Sequence, residues 1–329
     1  RGEILMGEAP AVKLETGEAL RISTGGMLPE GGNAVVMVEH TEFLSADTLA
    51  VYKAVAPGEN TIARGEDLRA GAEVLPAGQR LRPQDLGILA SLGKMEVEVA
   101  ARPRVALLST GDELVPPEEV PGPGQIRETN SYTLAALAEQ CGAEVSRLGI
   151  VPDEREALMA ALQKTAGYDC VVLTGGSSAG IRDHVAACIA ALGRPGVLFH
   201  GVSMRPGKPL IYGLVDGRPY FGLSGNPTSA LVGFLLFVRP LLWRLTGEKK
   251  VVPRFWARTE RNLSSTGGRE DYVRAYVYEK EGQWWARPIL GQSNLLSTAV
   301  RANALLRIPE NSEGAEPGDW LEVLLLGQF

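Results

Sequence analysis

Short apolar runs alternate with helix-like segments between residues 104 and about 247, and this alternation restricts the fold more than any other feature of the chain. The runs "RVALL" at 104–108, "VSRLGI" at 145–150 and "CVVL" at 170–173 are typical of buried strands. Apolar residues recur at helical spacing in the segments that separate them. A repeat of strand, helix and strand predicts an open, mostly parallel α/β domain.

Helix boundaries can also be predicted within this region. Asn130 or Ser131 is expected to cap the first helix, and Asp183 is expected to begin the third. Pro227 occupies the first position of a long helix, where proline is favoured. The apolar run "ALVGFLLFV" at 230–238 within this last helix is too short to span a bilayer, so a buried helix is expected rather than a membrane segment.

The regions on either side of this alternation differ from it in composition and in hydrophobic pattern. Residues 1 to about 80 are rich in glycine, proline and short β-type runs such as "NAVVMVEH" at 33–40, and a helix is expected at 82–94. The stretch at 271–290 predicts two alternating strands joined by a turn, and hence a small β-barrel. The predicted domains are a β-rich domain at 1–80, a helical connector of an elongated linker domain at 81–102, the α/β domain at 103–248 and the β-barrel at 249–329.

Charge and cysteine usage exclude some classes of function. Lys and Arg number 33 against 39 Asp and Glu, and the net charge of −6 argues against binding of nucleic acid or anionic membranes by the whole surface. Cys141, Cys170 and Cys188 have no metal-type spacing and are interpreted as core residues in a reducing compartment, which predicts a cytoplasmic protein without a zinc site.

Four unusual loops are expected at the carboxyl ends of the predicted strands. Ligands of open α/β sheets bind outside the carboxyl ends of the strands. Glycines in such loops allow a ligand to approach the backbone, and a helix that begins behind a loop offers free N–H groups to an anion. The four loops are "STGDEL" at 109–114, "TGGSSAGIRD" at 174–183, "SMRPGKP" at 203–209 and "LSGNPTS" at 223–229.

Each loop also has a purely structural explanation. A glycine pair after a strand is more often a turn, and neither the dinucleotide fingerprint nor the P-loop spacing occurs here. Asp112 and Asp183 could cap helices, while Arg205 and Lys208 could be solvated surface charges. Ser229 could be an exposed residue of a first helical turn.

Taken together, the loops favour a ligand that carries phosphate. Arg205 and Lys208 suit a compact oxyanion, because arginine supplies forked donors and lysine a point charge. The carboxylates of Asp112, Glu113 and Asp183 would repel an anion unless a hard cation such as Mg²⁺ lay between them. The sequence therefore predicts a phosphate-bearing ligand held partly through Mg²⁺, with a second anion pocket nearby.

At these loops the chain resembles the molybdopterin molybdenumtransferases, a family that includes the E domain of gephyrin. The stretches "LLSTGDEL", "TGGSSAGIRD", "HGVSMRPGKP" and "LSGNPTSALV" occur in the family's order and spacing. The flanks at 20–39 and 302–309 also resemble the family, so the resemblance covers essentially the whole chain.

The resemblance implies a fold, an activity and partners. The α/β domain would resemble that of the molybdopterin adenylyltransferases and bind the pterin. The enzyme would hydrolyse the adenylate of adenylylated molybdopterin with a divalent cation, and would transfer molybdenum from molybdate to the dithiolene sulfurs. A homodimer whose subunits share the cleft is implied, with a molybdopterin adenylyltransferase as a further partner.

Site residues carry over by position from the family's motifs. The residues implied in catalysis are Asp183, Glu113, Lys208 and Arg205, of which Asp183 and Glu113 would hold the metal. The implied molybdate pocket consists of Arg205, Lys208, Pro209, Ser229, Arg274 and Ser293. Implied contacts to the pterin nucleotide are Thr24, Thr110, Gly111, Asp112, Gly175, Gly176, Ser177, Ser178, Gly225 and Asn226.

Three departures from the family pattern leave alternatives open. Ser177 stands where the family has valine, and Arg205 stands where it has lysine. The family's "MDGYA"-type motif is missing, and the chain is expected to begin after it. The alternatives are a molybdopterin adenylyltransferase, which normally lacks both β-rich flanks, and a non-catalytic molybdopterin-binding scaffold. Molybdenum and tungsten cannot be distinguished, since their oxyanions share shape and charge.

Overall fold

A computed structural model describes residues 1–175, 179–248 and 254–327, without the side chains of 179–183. The chain divides into two compact units, Arg1–Ala77 and Gly78–Phe329.

The first unit is built from short strands and irregular loops. Strands β1 (Glu3–Ile4) and β2 (Arg21–Ile22) pair in parallel, and β3 (Thr41–Phe43) and β4 (Leu49–Val51) pair antiparallel. The β-rich class predicted for this region is confirmed. The run at 33–40 is nevertheless no strand, and it ends in the 3₁₀ helix Val38–His40. Its backbone is held by a loop instead, since Val35 N–H donates to Glu59 O and Asn60 Nδ2 donates to Val35 O.

The second unit contains the α/β sheet and its helices. They run α1 (Pro83–Ser91), β5 (Arg104–Thr110), β6 (Leu114–Val115), β7 (Ile126–Arg127), α2 (Asn130–Gln140), β8 (Glu144–Val151), α3 (Arg155–Gln163), β9 (Cys170–Gly175), α4 (Ala179–Leu192), β10 (Pro195–His200), β11 (Met204–Arg205), β12 (Ile211–Val215), β13 (Arg218–Leu223), α5 (Pro227–Gly233), a π-helical turn (Phe234–Val238) and α6 (Arg239–Leu245). The sheet order is β10-β12-β13-β9-β5-β8. Strands β13, β9, β5 and β8 are mutually parallel and β12 is antiparallel to both its neighbours, which confirms the predicted sheet.

The apolar run of β5 explains why the sheet carries helices on both faces. Val105 and Leu107 pack with residues of α2, α5 and α6, whereas Ala106 and Leu108 pack with residues of α3 and α4. Side chains alternate between the two faces of a strand, so a strand buried on both faces must be apolar throughout.

One predicted helix cap and one predicted helix start are wrong. Helix α2 does begin at Asn130, but neither Asn130 nor Ser131 caps it, and the Ser131 N–H is bound instead by the Glu128 carboxylate at 2.7 Å. Helix α4 begins at Ala179, four residues before Asp183. A capping preference is local, and tertiary context overrides it. Pro227 begins α5 as predicted.

The helix from Pro227 to Leu245 is continuous over 19 residues, and by length and mean hydropathy (1.4) it could cross a membrane. Its position in the fold indicates a core helix instead. Val232, Phe234, Leu235 and Val238 are at most 1% exposed and belong to the cluster between the sheet and α2. The prediction of a buried helix is confirmed.

The last part of the chain forms a closed barrel, as predicted. Its elements are β14 (Phe255–Thr259), β15 (Leu263–Ser264), β16 (Glu270–Lys280), β17 (Gln283–Pro288), α7 (Leu296–Val300), β18 (Ala304–Ile308), β19 (Gly314–Ala315) and β20 (Trp320–Leu325). Strands pair in the order β16-β17-β14-β20-β18, and β18 returns to β16. Ala257, Ala275, Ala286 and Ala304 are fully buried inside, and such small side chains allow five strands to close.

Candidate active site

Three of the four predicted loops begin at one edge of the α/β sheet. Thr110 at the end of β5 lies in register with Gly175 at the end of β9, and Thr174 lies in register with Leu223 at the end of β13. A Cβ added to Gly225 would lie 3.3 Å from the Gly175 Cα, so the next loop crosses directly over this edge. The carboxyl ends of parallel strands meet, as expected for a ligand site in this fold.

Gly175 of β9 allows the backbone of β5 to come very close at this edge of the sheet. Its φ is +127°, and an added Cβ would lie 1.9 Å from the Thr110 carbonyl oxygen. No other residue could occupy this position without moving the backbone. A small cavity beside it is also lined by Thr174 and Pro209, which brings the 203–209 loop to the same end of the sheet.

Acidic side chains lie beside the ends of β5 and β8. The Thr110 hydroxyl donates to the Asp153 carboxylate, and the Asp153 N–H donates to Asp112 Oδ1 at 3.1 Å. A Cβ on Gly111 would lie 2.7 Å from Oε2 of Glu113, so the Glu113 carboxylate lies over the Gly111 backbone. Asp112 and Glu113 are exposed. Carboxylate oxygens of this kind are ligands that Mg²⁺ accepts.

Within the described parts of the chain, no three His, Cys, Asp or Glu side chains converge as a metal site would require. The predicted metal pair of Glu113 and Asp183 is not tested by this, because the Asp183 side chain lies outside the described residues.

The loop at 203–209 lies against the first turn of α5. Gly207 has a φ of +105°, and a Cβ there would lie 2.5 Å from Cε of Met204 and 3.5 Å from the Ser229 carbonyl oxygen. Ser229 is 5% exposed, and its N–H donates to Asn226 O at 3.0 Å. The exposed Lys208 follows Gly207 directly. The two loops predicted to form the oxyanion pocket are therefore neighbours.

Residues of the barrel bind the same turn of α5. The Ser293 carbonyl accepts hydrogen bonds from Thr228 N–H at 3.1 Å and from Thr228 Oγ1 at 2.7 Å. Asn226 Nδ2 donates to Ser293 Oγ at 3.1 Å, and Arg274 Nη1 donates to Thr228 Oγ1 at 3.1 Å. These hydrogen bonds join the barrel to the first turn of α5.

Arg274 is a buried cation with an unsatisfied donor. It is 7% exposed, and its Nε has no hydrogen-bond partner among the described residues. Burial lowers the pKa of Arg274, and the nearby positive charge of Arg205 lowers it further. Strand β11 pairs with β16 so that Arg205 lies in register with Asp271, whose Oδ2 is 4.0 Å from the Arg205 Nη1. A buried charge that is not fully paired favours an anion beside it.

The structure places most predicted site residues at this end of the second unit. Thr24 is exposed in the first unit. The positions outside the described residues are Gly176, Ser177 and Ser178, together with the Asp183 side chain.

The fold brings several residues to this edge that were not predicted from the sequence. Asp153 lies two residues after the end of β8, and the expectation that loops after parallel strands meet at one edge could have identified it. Thr228 lies inside the predicted loop at 223–229 and links Arg274 to Ser293. Asn130 donates to the Gly225 carbonyl at 2.8 Å, and no local pattern indicates this contact.

Three family models match successive parts of the chain. Residues 2–93 match the MoeA N-terminal region (domain I and II). Residues 106–244 match a model described as "Probable molybdopterin binding domain". Residues 257–326 match the MoeA C-terminal region (domain IV).

Individual relatives agree with these matches. The chain is 36% identical to a molybdopterin molybdenumtransferase of Haemophilus influenzae, covering 93% of this chain and 76% of that protein. It is 38% identical to one from a Nostoc species, covering 93% and 72%. A crystal structure of the molybdopterin biosynthesis moeA protein from Pyrococcus horikoshii superposes with a TM-score of 0.85 at 35% identity, covering 100% of this chain and 81% of that one.

Proposed function

Because this chain belongs to the molybdopterin molybdenumtransferase family, we propose that it inserts molybdenum from molybdate into adenylylated molybdopterin and releases AMP. Such a reaction is a step of molybdenum cofactor biosynthesis. The observation that carries the proposal is the buried, incompletely bonded Arg274 beside Arg205, where the barrel meets the α/β sheet.

The pterin nucleotide is assigned to the carboxyl ends of β5 and β9. Gly175 packs against Thr110 and Gly225 packs against Gly175, so the loops after β5, β9 and β13 begin close together around this proposed site. Thr110 ends β5 and Asp112 lies two residues after it, while Gly176, Ser177 and Ser178 follow Gly175 in sequence and lie outside the described residues. Thr24 remains a proposed contact carried over from the family.

Molybdate is assigned to the neighbouring pocket between α5 and the barrel. Arg205, Arg274 and Lys208 would supply positive charge, Ser229 lies in the first turn of α5, and Pro209 and Ser293 are assigned as further contacts of the oxyanion. Donors held in advance around an oxyanion stabilise it without reorganising when it binds. The pocket's position next to Gly225 would bring molybdate and the pterin to adjacent sites.

Mg²⁺ is the cation whose chemistry fits the acidic loops. Glu113 is exposed near the end of β5, Asp112 precedes it in sequence and accepts a hydrogen bond from the Asp153 N–H, and these carboxylates offer hard oxygen atoms. We assign Glu113 and Asp183 as its ligands. Bound there, Mg²⁺ would offset negative charge on the phosphates of the adenylate. From the family we further propose a cytoplasmic homodimer that receives its substrate from a molybdopterin adenylyltransferase.

Single-turnover assays test the proposal. Protein, adenylylated molybdopterin, Mg²⁺ and molybdate are mixed, and both AMP and pterin-bound molybdenum are measured. We expect AMP and metallated pterin to form together, and pterin that stays metal-free would contradict the proposal. Glu113→Gln should lose Mg²⁺-dependent AMP release and keep its melting temperature, whereas Glu118→Gln, an exposed change in the following loop, should behave as wild type.

A further inference from the structure

Glu128 is a buried carboxylate outside the proposed ligand-binding residues. It is 5% exposed and lies between β7 and α2. It accepts hydrogen bonds from Ser131 N–H at 2.7 Å, Ser131 Oγ at 2.6 Å and Ser109 Oγ at 2.9 Å. Three donors on one buried carboxylate satisfy it well and fix its neighbours.

The contact with Ser109 extends to a second strand. Ser109 Oγ lies 3.1 Å from Thr174 Oγ1. The Ser109 hydrogen is directed to Glu128, so Thr174 must donate to Ser109. Ser109 and Thr174 are at most 2% exposed, and they directly precede Thr110 and Gly175. Glu128 thereby fixes the ends of β5 and β9.

Asn130 makes a hydrogen bond to a third loop, the one that follows β13. Its Nδ2 donates to the Gly225 carbonyl at 2.8 Å, across 95 residues of sequence. Gly225 packs on Gly175 and is followed by Asn226, which binds Ser293 of the barrel. One short segment therefore holds the loops after β5, β9 and β13.

We propose that Glu128 and Asn130 are positioning residues that set the geometry of these three loops for the transfer reaction. Neither is assigned a contact with a ligand. The effect on loop geometry follows from the contacts alone, and the effect on turnover rests on the proposed function. A displacement of about 1 Å in reacting groups can cost on the order of a hundredfold in rate, which makes such positioning consequential.

The variant Asn130→Asp isolates the contact with Gly225. It keeps the side-chain shape and replaces the donor with a carboxylate that faces a carbonyl oxygen, so the loop must shift. Asn130→Ala removes the donor without adding charge, and it replaces Asn130→Asp in the measurements if Asn130→Asp does not fold. Thr133→Val is the matched control, because Thr133 lies in the same helix and its hydroxyl bonds only to Thr129 O at 3.2 Å.

Two measurements on the full chain test the inference. Hydrogen exchange of the amides at 224–228 should rise at least about fivefold in Asn130→Asp and remain unchanged in Thr133→Val. In single-turnover assays, kcat/KM for adenylylated molybdopterin should fall at least about tenfold. Molybdate affinity should change by less than about threefold, since Thr228 still joins α5 to Ser293. Glu128→Gln should slow turnover in the same way, with increased exchange at 109–112.

The outcomes separate this inference from the proposed function. Unchanged exchange in Asn130→Asp, or an equal rise in Thr133→Val, would overturn the positioning role. Increased hydrogen exchange at 224–228 with undiminished turnover would show that positioning by Asn130 does not matter for the transfer reaction. A wild-type protein that releases no AMP, while Asn130→Asp still shows faster exchange at 224–228, would refute the proposed function and leave the positioning role standing.

Discussion

Arg274 carries its charge in surroundings that disfavour it unless an anion lies nearby. Its Nη groups bond to Thr228 and to the Gly291 carbonyl, while its Nε has no partner in the part of the chain that the structure describes. Gly175 is similarly constrained, because its backbone conformation and the Thr110 carbonyl leave no room for a Cβ. At the scale of single residues, these two positions are the most sensitive in the site.

Replacing Arg274 with glutamine should weaken molybdate binding by about 1.5–3 kcal/mol, the usual contribution of a hydrogen bond to a charged group. Calorimetric titration with molybdate measures the loss. Stability without molybdate should fall little, since the change removes an incompletely paired buried charge. The control is Arg287→Gln, an exposed barrel arginine that pairs with Glu260 at 3.0 Å. Equal molybdate affinity in both variants would refute the assignment of Arg274.

Gly175→Ala should destabilise the protein by at least about 2 kcal/mol, through strain and a collision with the backbone. Gly217→Ala is the matched control, because Gly217 has a φ of +83° and nothing within 4 Å of an added Cβ. It should cost about 1 kcal/mol, for backbone strain alone. Urea unfolding measures both variants. Similar losses would show that the approach of β5 and β9 tolerates a methyl group.

At the scale of elements, strand β16 connects several parts of the second unit. It pairs with β11, β17 and β18, so the loop that carries Arg205 is joined to the barrel by backbone hydrogen bonds. Its first residue, Glu270, binds Arg307 of β18 and accepts a hydrogen bond from Tyr272 at 2.6 Å. These contacts fix the start of β16 next to Arg205.

The ion pair at Glu270 should make the barrel sensitive to acid. The Arg307 guanidinium lowers the pKa of Glu270 below its ordinary value, and Tyr272 adds to this. A depressed folded-state pKa contributes stability above the unfolded-state pKa, about 4.3, and this contribution is lost as the pH falls through the folded-state pKa. Wild type should therefore be more stable than Glu270→Gln at pH 7.

Urea unfolding between pH 7 and pH 3 tests this expectation. The difference in free energy of unfolding between wild type and Glu270→Gln should narrow below about pH 4. Glu279→Gln, at an exposed position of the same strand, should show no comparable pH-dependent difference. If the difference in free energy of unfolding between wild type and Glu270→Gln stays constant with pH, the Glu270–Arg307 ion pair does not cause the acid sensitivity.

Within the whole second unit, one hydrophobic cluster joins the barrel to the α/β sheet, although each also has a cluster of its own. Tyr272 and Leu305 of the barrel belong to the same cluster as Met204 and the residues of α5 and α6. Asn226, Thr228 and Ser293 add hydrogen bonds across the junction. The proposed molybdate pocket therefore lies where two packed bodies meet, and its geometry depends on both.

A double-mutant cycle tests this dependence. Asn226→Ala and Ser293→Ala each remove the same 3.1 Å hydrogen bond, so the double variant should lose about 0.5–1.5 kcal/mol less stability than the sum of the single variants. Urea unfolding of the four proteins gives the coupling. Thr228→Val combined with Asn226→Ala is the comparison, since these side chains bind different atoms of Ser293. Strict additivity in the first cycle would mean that the bond does not couple the barrel to α5.

The sequence by itself determined which segments form strands and helices, and at which edge of the sheet the loops after parallel strands meet. Strand and helix periods are set by neighbouring residues, so the α/β alternation, the buried helix from Pro227 and the closed barrel could all be predicted. Loops after parallel strands must meet, and Thr110, Gly175 and Gly225 do so. The predicted strand at 33–40 failed because a strand requires a partner, and no local pattern supplies one.

Only the tertiary structure decided how distant residues combine within the site. Thr110 binds Asp153 across 43 residues and Asn130 binds Gly225 across 95, although neither pair shares a local pattern. The burial of Arg274 likewise arises because the barrel packs against α5. Such contacts depend on which surfaces pack together, whereas the period of a helix or strand is visible in a few consecutive residues.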